Sequence, residues 1–175
     1  MRLSQYGIII MFCFAALLGG CRKNNDSEGK KSKPIDFRLD TPSHERFYLN
    51  QHRGKVVVLA FWATWCIACK SELVELKSVA ASPEYKDVFV AAVCNDPENI
   101  DDVKKITESL GIDYPVLLDK DAKVFKSLGL SAVPTTIVID QAGRISLTRL
   151  GYDAGIMRQI KKNIETLLAS DKISQ

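Results

Sequence analysis

Two cysteines separated by two residues are the part of this sequence best suited to chemistry. Cys66 and Cys69 lie where a continuous apolar run gives way to a helical pattern. At the start of a helix, cysteines three apart can form a small disulfide ring without unwinding the helix. The first thiol faces unpaired backbone N–H groups and the positive end of the helix dipole, and both stabilise its thiolate. We therefore expect Cys66 to be the attacking sulfur and Cys69 the resolving one.

Three other uses of the pair are weaker on the sequence alone. A purely structural disulfide would close too small a loop to add much stability. A zinc site needs four ligands, and only Cys94, His44 and His52 could join the pair, at no recognised spacing. Covalent haem needs a histidine directly after the second cysteine, where this chain has Lys70. We expect a redox pair that uses neither a metal nor an organic cofactor.

Apolar patterns predict the elements that position this pair. A continuous apolar run is typical of a strand buried on both faces, and three- and four-residue spacing is typical of a helix. The resulting order predicts an α/β sheet covered on both faces. The predicted elements are a hairpin within Ile35–Leu49, strand Lys55–Phe61, a helix from Cys66 that ends before Pro83, strand Val88–Val93, a helix from Asp96 and Pro97 to Gly111, strand Val116–Leu118, helix Ala122–Leu128, strands Thr135–Ile139 and Arg144–Leu150, and a last helix carrying Ile156, Ile160, Ile164 and Leu167.

Two segments resemble active-site motifs of the thioredoxin superfamily. Residues 61–70, Phe-Trp-Ala-Thr-Trp-Cys-Ile-Ala-Cys-Lys, resemble its Trp-Cys-x-x-Cys region, and residues 133–135, Val-Pro-Thr, resemble its cis-proline loop. The resemblance implies a thioredoxin fold, here with an added N-terminal β-hairpin and a central βα insertion. It also implies that Pro134 lies against the cysteine sulfurs and that the Val133 backbone pairs with a substrate peptide. A trans proline that merely begins a strand is the alternative.

The closer resemblance is to the TlpA/ResA-like branch, and it covers residues 35–169. Glu72 matches the glutamate that this branch carries three residues after the second cysteine, which implies proton transfer to or from the cysteines. Ala60 stands where thioredoxin itself has a buried aspartate, which is consistent with that role for Glu72. The alternative is that Glu72 is an ordinary surface charge. Ala68 and Leu73 replace prolines common in the branch. The resemblance therefore implies the class of reaction, and it does not predict the reduction potential of the cysteine pair.

Side chains near the pair have further expected roles. Trp65, directly before the first cysteine, is expected to form an apolar docking patch for substrate with Ala68 and Val133. Cys94 ends the second buried strand, and in a parallel sheet that end lies on the same edge as the active site. A buried, inert cysteine is the common outcome at such a position. A third redox thiol or an inter-protein bridge is the alternative.

The first 34 residues are expected to lie outside the fold. Residues 1–20 combine Arg2 with a short apolar run, which is typical of an export signal, and residues 18–21, Leu-Gly-Gly-Cys, resemble a bacterial lipobox. That resemblance implies cleavage before Cys21 and a diacylglyceryl group on its thiol; an uncleaved anchor or a plain signal peptide is the alternative. Residues 21–34 are predicted to be a flexible tether because they lack an apolar period. Residues 35–172 are assigned to the thioredoxin-like domain.

The expected function is reduction of disulfides in exported proteins by a membrane-tethered, extracytoplasmic enzyme. Its partners would be a cysteine-containing exported substrate, the membrane that holds its lipid, and a membrane-embedded dithiol donor that re-reduces the pair. By resemblance, apocytochrome c awaiting haem attachment is one such substrate. The formal net charge is +3, and removal of residues 1–20 takes away only Arg2, which leaves +2. So weak a charge gives no reason to expect nucleic-acid binding.

Other functions remain open on the sequence. An oxidase would donate the disulfide instead of reducing one. A thiol peroxidase of the related peroxiredoxin group carries Pro-x-x-x-Thr-x-x-Cys, whereas here Thr64 is two residues before Cys66 and the proline is absent. A copper metallochaperone on this fold uses a wider cysteine spacing and a downstream histidine, and both histidines here lie upstream. A purely structural lipoprotein has no packing reason to expose such a cysteine pair.

Overall fold

The structure, a computed structural model, describes residues 33–173. The predicted signal peptide, the predicted lipidation site Cys21 and nearly all of the predicted tether lie outside the described residues. Within residues 33–173 no helix is long and apolar enough to cross a membrane. The strands are β1 (Arg38–Asp40), β2 (Arg46–Tyr48), β3 (Val56–Trp62), β4 (Val88–Cys94), β5 (Val116–Leu118), β6 (Thr135–Ile139) and β7 (Ile145–Leu150), and the α-helices are α1 (Ile67–Ala80), α2 (Ile100–Ser109), α3 (Lys123–Ser127) and α4 (Ala154–Ile173).

The strands form one mixed sheet in the order β2-β1-β5-β4-β3-β6-β7. Strands β3, β4 and β5 are parallel, and the other neighbouring pairs are antiparallel. The register pairs Trp62 with Cys94 and Cys94 with Leu118, so the carboxyl ends of the parallel strands are level at one edge. Sites in α/β sheets form at this edge, and the cysteine pair follows β3 there.

Apolar side chains of the central strand fill both faces of the sheet. All seven residues of β3 are buried, and they divide between two cores because successive strand side chains point to opposite faces. The even-numbered residues from Val56 to Trp62 pack with α1, α2 and α4. The odd-numbered residues from Val57 to Phe61 pack with the β1–β2 hairpin and α3. The sheet is thus covered on both faces, as the sequence predicts.

The predicted thioredoxin order is confirmed, with one clear error at the start of α2. The sequence predicts a helix from Asp96 and Pro97, but α2 begins at Ile100. Asn99 caps that helix, since its side-chain oxygen accepts a hydrogen bond from the Asp101 N–H at 3.0 Å. The prediction is wrong because the Asp96 carboxylate is already bonded to the loop that precedes α1.

Helix α2, strand β5 and helix α3 lie between β4 and β6 in the chain. Helix α3 is shorter than the predicted Ala122–Leu128. Its N-terminus is capped by Asp119, a buried side chain whose carboxylate accepts hydrogen bonds from the Val124 and Phe125 N–H groups at 2.9 and 2.8 Å. This cap satisfies two backbone donors that the short helix leaves unpaired.

Candidate active site

The cysteine pair lies at the N-terminus of α1 as a disulfide. Cys66 is the N-cap residue, and its Sγ accepts a hydrogen bond from the Cys69 N–H at 3.2 Å. The Cα atoms of the bonded pair are 5.3 Å apart. Cys66 is 6% exposed whereas Cys69 is fully buried. An incoming thiolate therefore reaches the Cys66 sulfur first, and a sulfur at this position borders the unpaired N–H groups of the helix start.

Asp96 anchors the loop that leads into the pair, a role that the sequence analysis missed. Its carboxylate accepts hydrogen bonds from the Thr64 N–H at 3.0 Å and from the Thr64 hydroxyl at 2.9 Å. The turn continues with a hydrogen bond from the Cys66 N–H to the Ala63 carbonyl at 3.0 Å. The available signal was the position of Asp96 two residues after β4, at the carboxyl edge of the parallel strands.

Cys94 has the contacts of an inert cysteine. It is fully buried at the end of β4, and its Sγ donates a hydrogen bond to the Asp96 carboxylate at 3.3 Å. Burial raises the pKa of this thiol well above its ordinary value, and the nearby carboxylate charges of Asp96 and Asp119 add to the increase. The thiol therefore stays protonated at neutral pH and is a poor nucleophile.

The two histidines lie away from the cysteine pair. His44 is exposed in the β1–β2 turn, and His52 stacks on Phe47 and Phe89, with ring centroids 5.0 and 3.8 Å away. Burial lowers the pKa of His52. Within residues 33–173, no group of three histidine, cysteine or acidic side chains is arranged to hold a metal ion.

The loop before β6 reaches the same edge of the sheet as the cysteine pair. The Val133–Pro134 peptide bond is cis, the isomer that the resemblance implies. Thr135 pairs with Phe61 in the sheet register, which places Pro134 next to the end of β3, where the chain turns toward the pair. The Pro134 carbonyl accepts a hydrogen bond from the Gly151 N–H at 2.8 Å, so the end of β7 holds this loop in place.

Exposed apolar side chains surround this edge of the sheet. Trp65 is 71% exposed, Ala68 is exposed and Val133 is half-buried. Ile67, which the sequence analysis did not single out, is 80% exposed, and Leu150, paired with the first residue of β6, is 57% exposed. Exposed apolar side chains gathered at one edge of a domain are typical of a contact surface. Ile67 and Leu150 add to the three residues of the predicted patch.

Glu72 is buried beneath the pair on the same helix. It is 0% exposed, so its interpretation as a surface charge is wrong. One carboxylate oxygen accepts a hydrogen bond from the Thr136 hydroxyl at 2.7 Å. The other, Oε2, is buried without a partner among the described residues. Thr136 lies opposite Ala60 in the register of β3 and β6, so the carboxylate stands beside the position that the sequence analysis compared with thioredoxin's buried aspartate.

Burial raises the pKa of Glu72 to about 7. The hydrogen bond from Thr136 opposes this increase, and the negative charge of Glu75 adds to it. A carboxyl group with a pKa near neutrality exists in both forms at physiological pH and can take up or release a proton there. Its position three residues after Cys69, one turn along α1, places it on the helix face that carries Cys69.

Comparisons with known proteins agree with this geometry. The model of the AhpC/TSA family matches residues 31–148. The chain belongs to the AhpC/TSA family. The thiol-disulfide oxidoreductase ResA of Geobacillus thermodenitrificans is 30% identical over 75% of this chain and 74% of its own, and that of Bacillus subtilis is 33% identical over 70% and 67%. A Chlorobium tepidum crystal structure described as the thiol:disulfide interchange protein DsbE superposes with a TM-score of 0.73 at 25% identity, over 79% of this chain and 96% of its own.

Within the AhpC/TSA family this chain is a ResA-like thiol–disulfide oxidoreductase. The expected resemblance and fold are thereby confirmed, as is the class of enzyme. The active pair is Cys66 and Cys69, joined in the structure as the oxidised form of such an enzyme. Its reaction is the exchange of this disulfide with cysteines of another protein.

Proposed function

We propose that this AhpC/TSA family member is a membrane-tethered, extracytoplasmic reductase of protein disulfides. Its substrates would be exported proteins with oxidised cysteines, apocytochrome c among them. The observation that carries the proposal is the buried carboxyl group of Glu72, one turn below Cys69 and with a pKa of about 7. A reductase must release a proton from the resolving thiol in every turnover, and this group is suited to accept it near neutral pH.

In the first step, the Cys66 thiolate of the reduced enzyme attacks one sulfur of the substrate disulfide. The substrate's S–S bond breaks, a mixed disulfide forms, and the other substrate sulfur leaves as a thiolate that takes up a proton. Trp65, Ile67 and Ala68 border Cys66 and offer apolar contact to the polypeptide around the substrate cysteine. The backbone of Val133 supplies the polar contact that we assign to this loop.

In the second step, Cys69 resolves the mixed disulfide. Glu72 accepts the Cys69 proton, and the resulting thiolate attacks the Cys66 sulfur. The second substrate sulfur leaves as a thiolate that takes up a proton, and the enzyme is left with the Cys66–Cys69 disulfide that the structure contains. The substrate has gained two electrons and the enzyme has lost two. A membrane-embedded dithiol then returns two electrons to the pair, and becomes a disulfide itself.

The N-terminal sequence supports the place of action that we propose. An export signal over residues 1–20 and a lipid on Cys21 would hold the enzyme at a membrane, outside the cytoplasm. Residues 21–34 would then act as the tether between the membrane and the domain. This arrangement keeps the oxidised pair close to a membrane-embedded donor and to newly exported chains.

The test is the reduction potential of the Cys66–Cys69 pair. We would equilibrate unlipidated protein, starting at Arg22, with thiol redox buffers and measure the fraction oxidised by alkylation and mass spectrometry. A Cys94→Ala variant measured in parallel removes the third thiol of this protein from the count. A reduction potential of about −270 mV, like that of thioredoxin, supports a reductase that needs a membrane donor. A reduction potential of about −120 mV overturns the proposal and favours a disulfide-donating oxidase.

The role of Glu72 is tested by the pH dependence of the exchange. Reduction of a model protein disulfide by the dithiol form is expected to be slower in a Glu72→Gln variant and to depend on pH differently from the wild type, because glutamine cannot accept the Cys69 proton. An unchanged profile in the variant would remove Glu72 from the mechanism. Catalytic consumption of hydroperoxide by the wild-type protein would favour a thiol peroxidase instead.

A further inference from the structure

Helix α1 carries a second carboxylate, Glu75, one turn beyond Glu72 and at the edge of the buried face. Its Oε2 accepts a hydrogen bond from the Tyr152 hydroxyl at 2.7 Å. Its Oε1 is 3.7 Å from the ammonium nitrogen of Lys161 on α4, and both side chains are 34% exposed. Three elements therefore meet at Glu75: α1, the segment between β7 and α4, and α4 itself. Unlike Glu72, this carboxylate is open to solvent.

We propose that Glu75, held by Tyr152 and paired with Lys161, is a positioning residue that adjusts the ionisation of the buried Glu72 and so the pH range of cysteine exchange. The part of this inference that concerns exchange rests on the proposed role of Glu72. Its electrostatic part does not, since it concerns only how one buried carboxylate responds to a charged neighbour on the same helix.

The charged and titratable groups around Glu72 come from several elements. Thr136 of β6 donates to it, and Glu75 lies on its own helix. Tyr114, from the segment before β5, donates its hydroxyl to the Leu73 carbonyl at 2.8 Å. The pKa of Tyr114 is raised first by burial and then by the charge of Glu72. The cysteine pair carries no charge while it is a disulfide.

Tyr152 links the two carboxylates electrostatically. Its hydrogen bond to Glu75 raises its pKa to about 12, with smaller contributions from burial and from the charges of Glu75 and Glu72. Glu75 is three residues from Glu72 on α1, a spacing at which helix side chains are neighbours, and it is the one of the two carboxylates that solvent reaches.

Two substitutions should shift the pKa of Glu72 in opposite directions. In Glu75→Gln the repulsion between the carboxylates is lost, while the glutamine carbonyl still accepts from Tyr152. The Lys161 ammonium is then unpaired, and it favours the ionised form of Glu72. In Lys161→Gln the negative charge of Glu75 is no longer balanced, and it opposes ionisation of Glu72 more strongly. For each half unit of downward shift, the ionised fraction of Glu72 well below its midpoint rises about threefold.

The experiment is a titration of the Glu72 carboxyl carbon by NMR. Full-length oxidised protein in detergent micelles, labelled with ¹³C at the glutamate side-chain carboxyl group, would be titrated as wild type, Glu75→Gln and Lys161→Gln. The Glu72 signal is identified by its absence from Glu72→Gln. Glu165→Gln is the matched control, because this residue of α4 also accepts from a tyrosine hydroxyl, that of Tyr85 at 3.2 Å. Backbone amide spectra report whether each variant keeps the fold.

We expect the midpoint of the Glu72 titration to move down in Glu75→Gln and up in Lys161→Gln. It should not move in Glu165→Gln. Equal midpoints in wild type, Glu75→Gln and Lys161→Gln would overturn the inference, as would shifts in the same direction for those two variants. The exchange rate against pH is then measured on the same proteins. If the Glu72 midpoint moves as expected but the rate profile does not follow, the proposed role of Glu72 fails and the electrostatic coupling stands.

Discussion

The strongest quantitative prediction concerns the effect of Glu72 on stability. A buried carboxyl group with a raised pKa binds its proton more tightly in the folded chain than in the unfolded one. The folded state therefore loses relative stability as pH rises through the interval between the two pKa values. Replacement of Glu72 by glutamine keeps the shape of the side chain and the acceptor for Thr136, and it removes the titration. The pH dependence of stability should change accordingly.

The magnitude follows from the two pKa values. Glu72 titrates at 4.5 in its ordinary state and at about 7 in the folded protein. Each unit of difference corresponds to about 1.4 kcal/mol, so ionisation of Glu72 opposes folding by about 3 kcal/mol. Well below pH 4.5 the carboxyl group is protonated in both states and contributes nothing to this difference. Well above pH 7 the full difference is present, and the wild-type protein is less stable by that amount.

The assay is urea unfolding of the oxidised wild type and Glu72→Gln at several pH values between 5 and 8. Urea is uncharged and leaves the ionic strength constant. All other titrating groups are shared, so the difference in unfolding free energy between the two proteins isolates Glu72. That difference should move by about 2.5 kcal/mol in favour of the variant between pH 5 and 8, because part of the effect already lies below pH 5. Any constant offset from the unpaired glutamine NH₂ does not affect the slope.

Two results would refute the reasoning. Parallel curves for the two proteins would mean that Glu72 titrates alike in the folded and unfolded chain. If the difference in unfolding free energy instead moved in favour of the wild type as pH rises, folding would stabilise the charged form of Glu72. Glu165→Gln serves again as the exposed carboxylate whose removal should leave the pH dependence nearly unchanged.

Three further predictions concern single side chains. Trp65→Ala should raise the KM for a protein disulfide about 5- to 10-fold, because the side chain is exposed beside Cys66. Reduction of a small disulfide should be nearly unaffected. An equal loss with both substrates would contradict a docking role. Tyr114→Phe removes the hydroxyl that donates to the Leu73 carbonyl and should lower the free energy of urea unfolding by about 1 kcal/mol; no change would mean that the bond adds no net stability. Cys94→Ala should leave the exchange rate unchanged and cost roughly 1 kcal/mol of unfolding free energy; loss of turnover would identify a third redox thiol.

Local patterns were sufficient to predict most of the fold. The unbroken apolar run of β3 predicts a strand buried on both faces, and all seven of its residues are buried. The helix after Cys66 and the order of later elements follow from spacing in the same way. The start of α2 was misplaced because Asp96 satisfies the local rule for a helix cap and yet bonds to Thr64, 32 positions earlier. A contact at that separation depends on strand register.

The site was predictable in its chemistry and less so in its surroundings. The cysteine spacing alone locates the reactive pair, and the resemblance points to Glu72. Neither indicates that Thr136 donates to Glu72 from 64 residues away, nor that Ile67 is more exposed than Trp65. Those features depend on how β6 pairs with β3 and on which face of α1 meets the core. Local sequence patterns do not predict either arrangement.

The reacting sulfur atoms and part of the exposed apolar surface around them belong to different parts of the chain. Cys66, Cys69, Glu72 and Glu75 are spaced along one helix, so its regular geometry sets their separations. Val133 and Leu150 of that surface lie in segments far away in sequence, whereas Trp65, Ile67 and Ala68 lie beside Cys66. Substitutions at Val133 and Leu150 would change the contacts offered to a partner without displacing the sulfur atoms. The fold thus permits substrate preference to evolve separately from the exchange reaction.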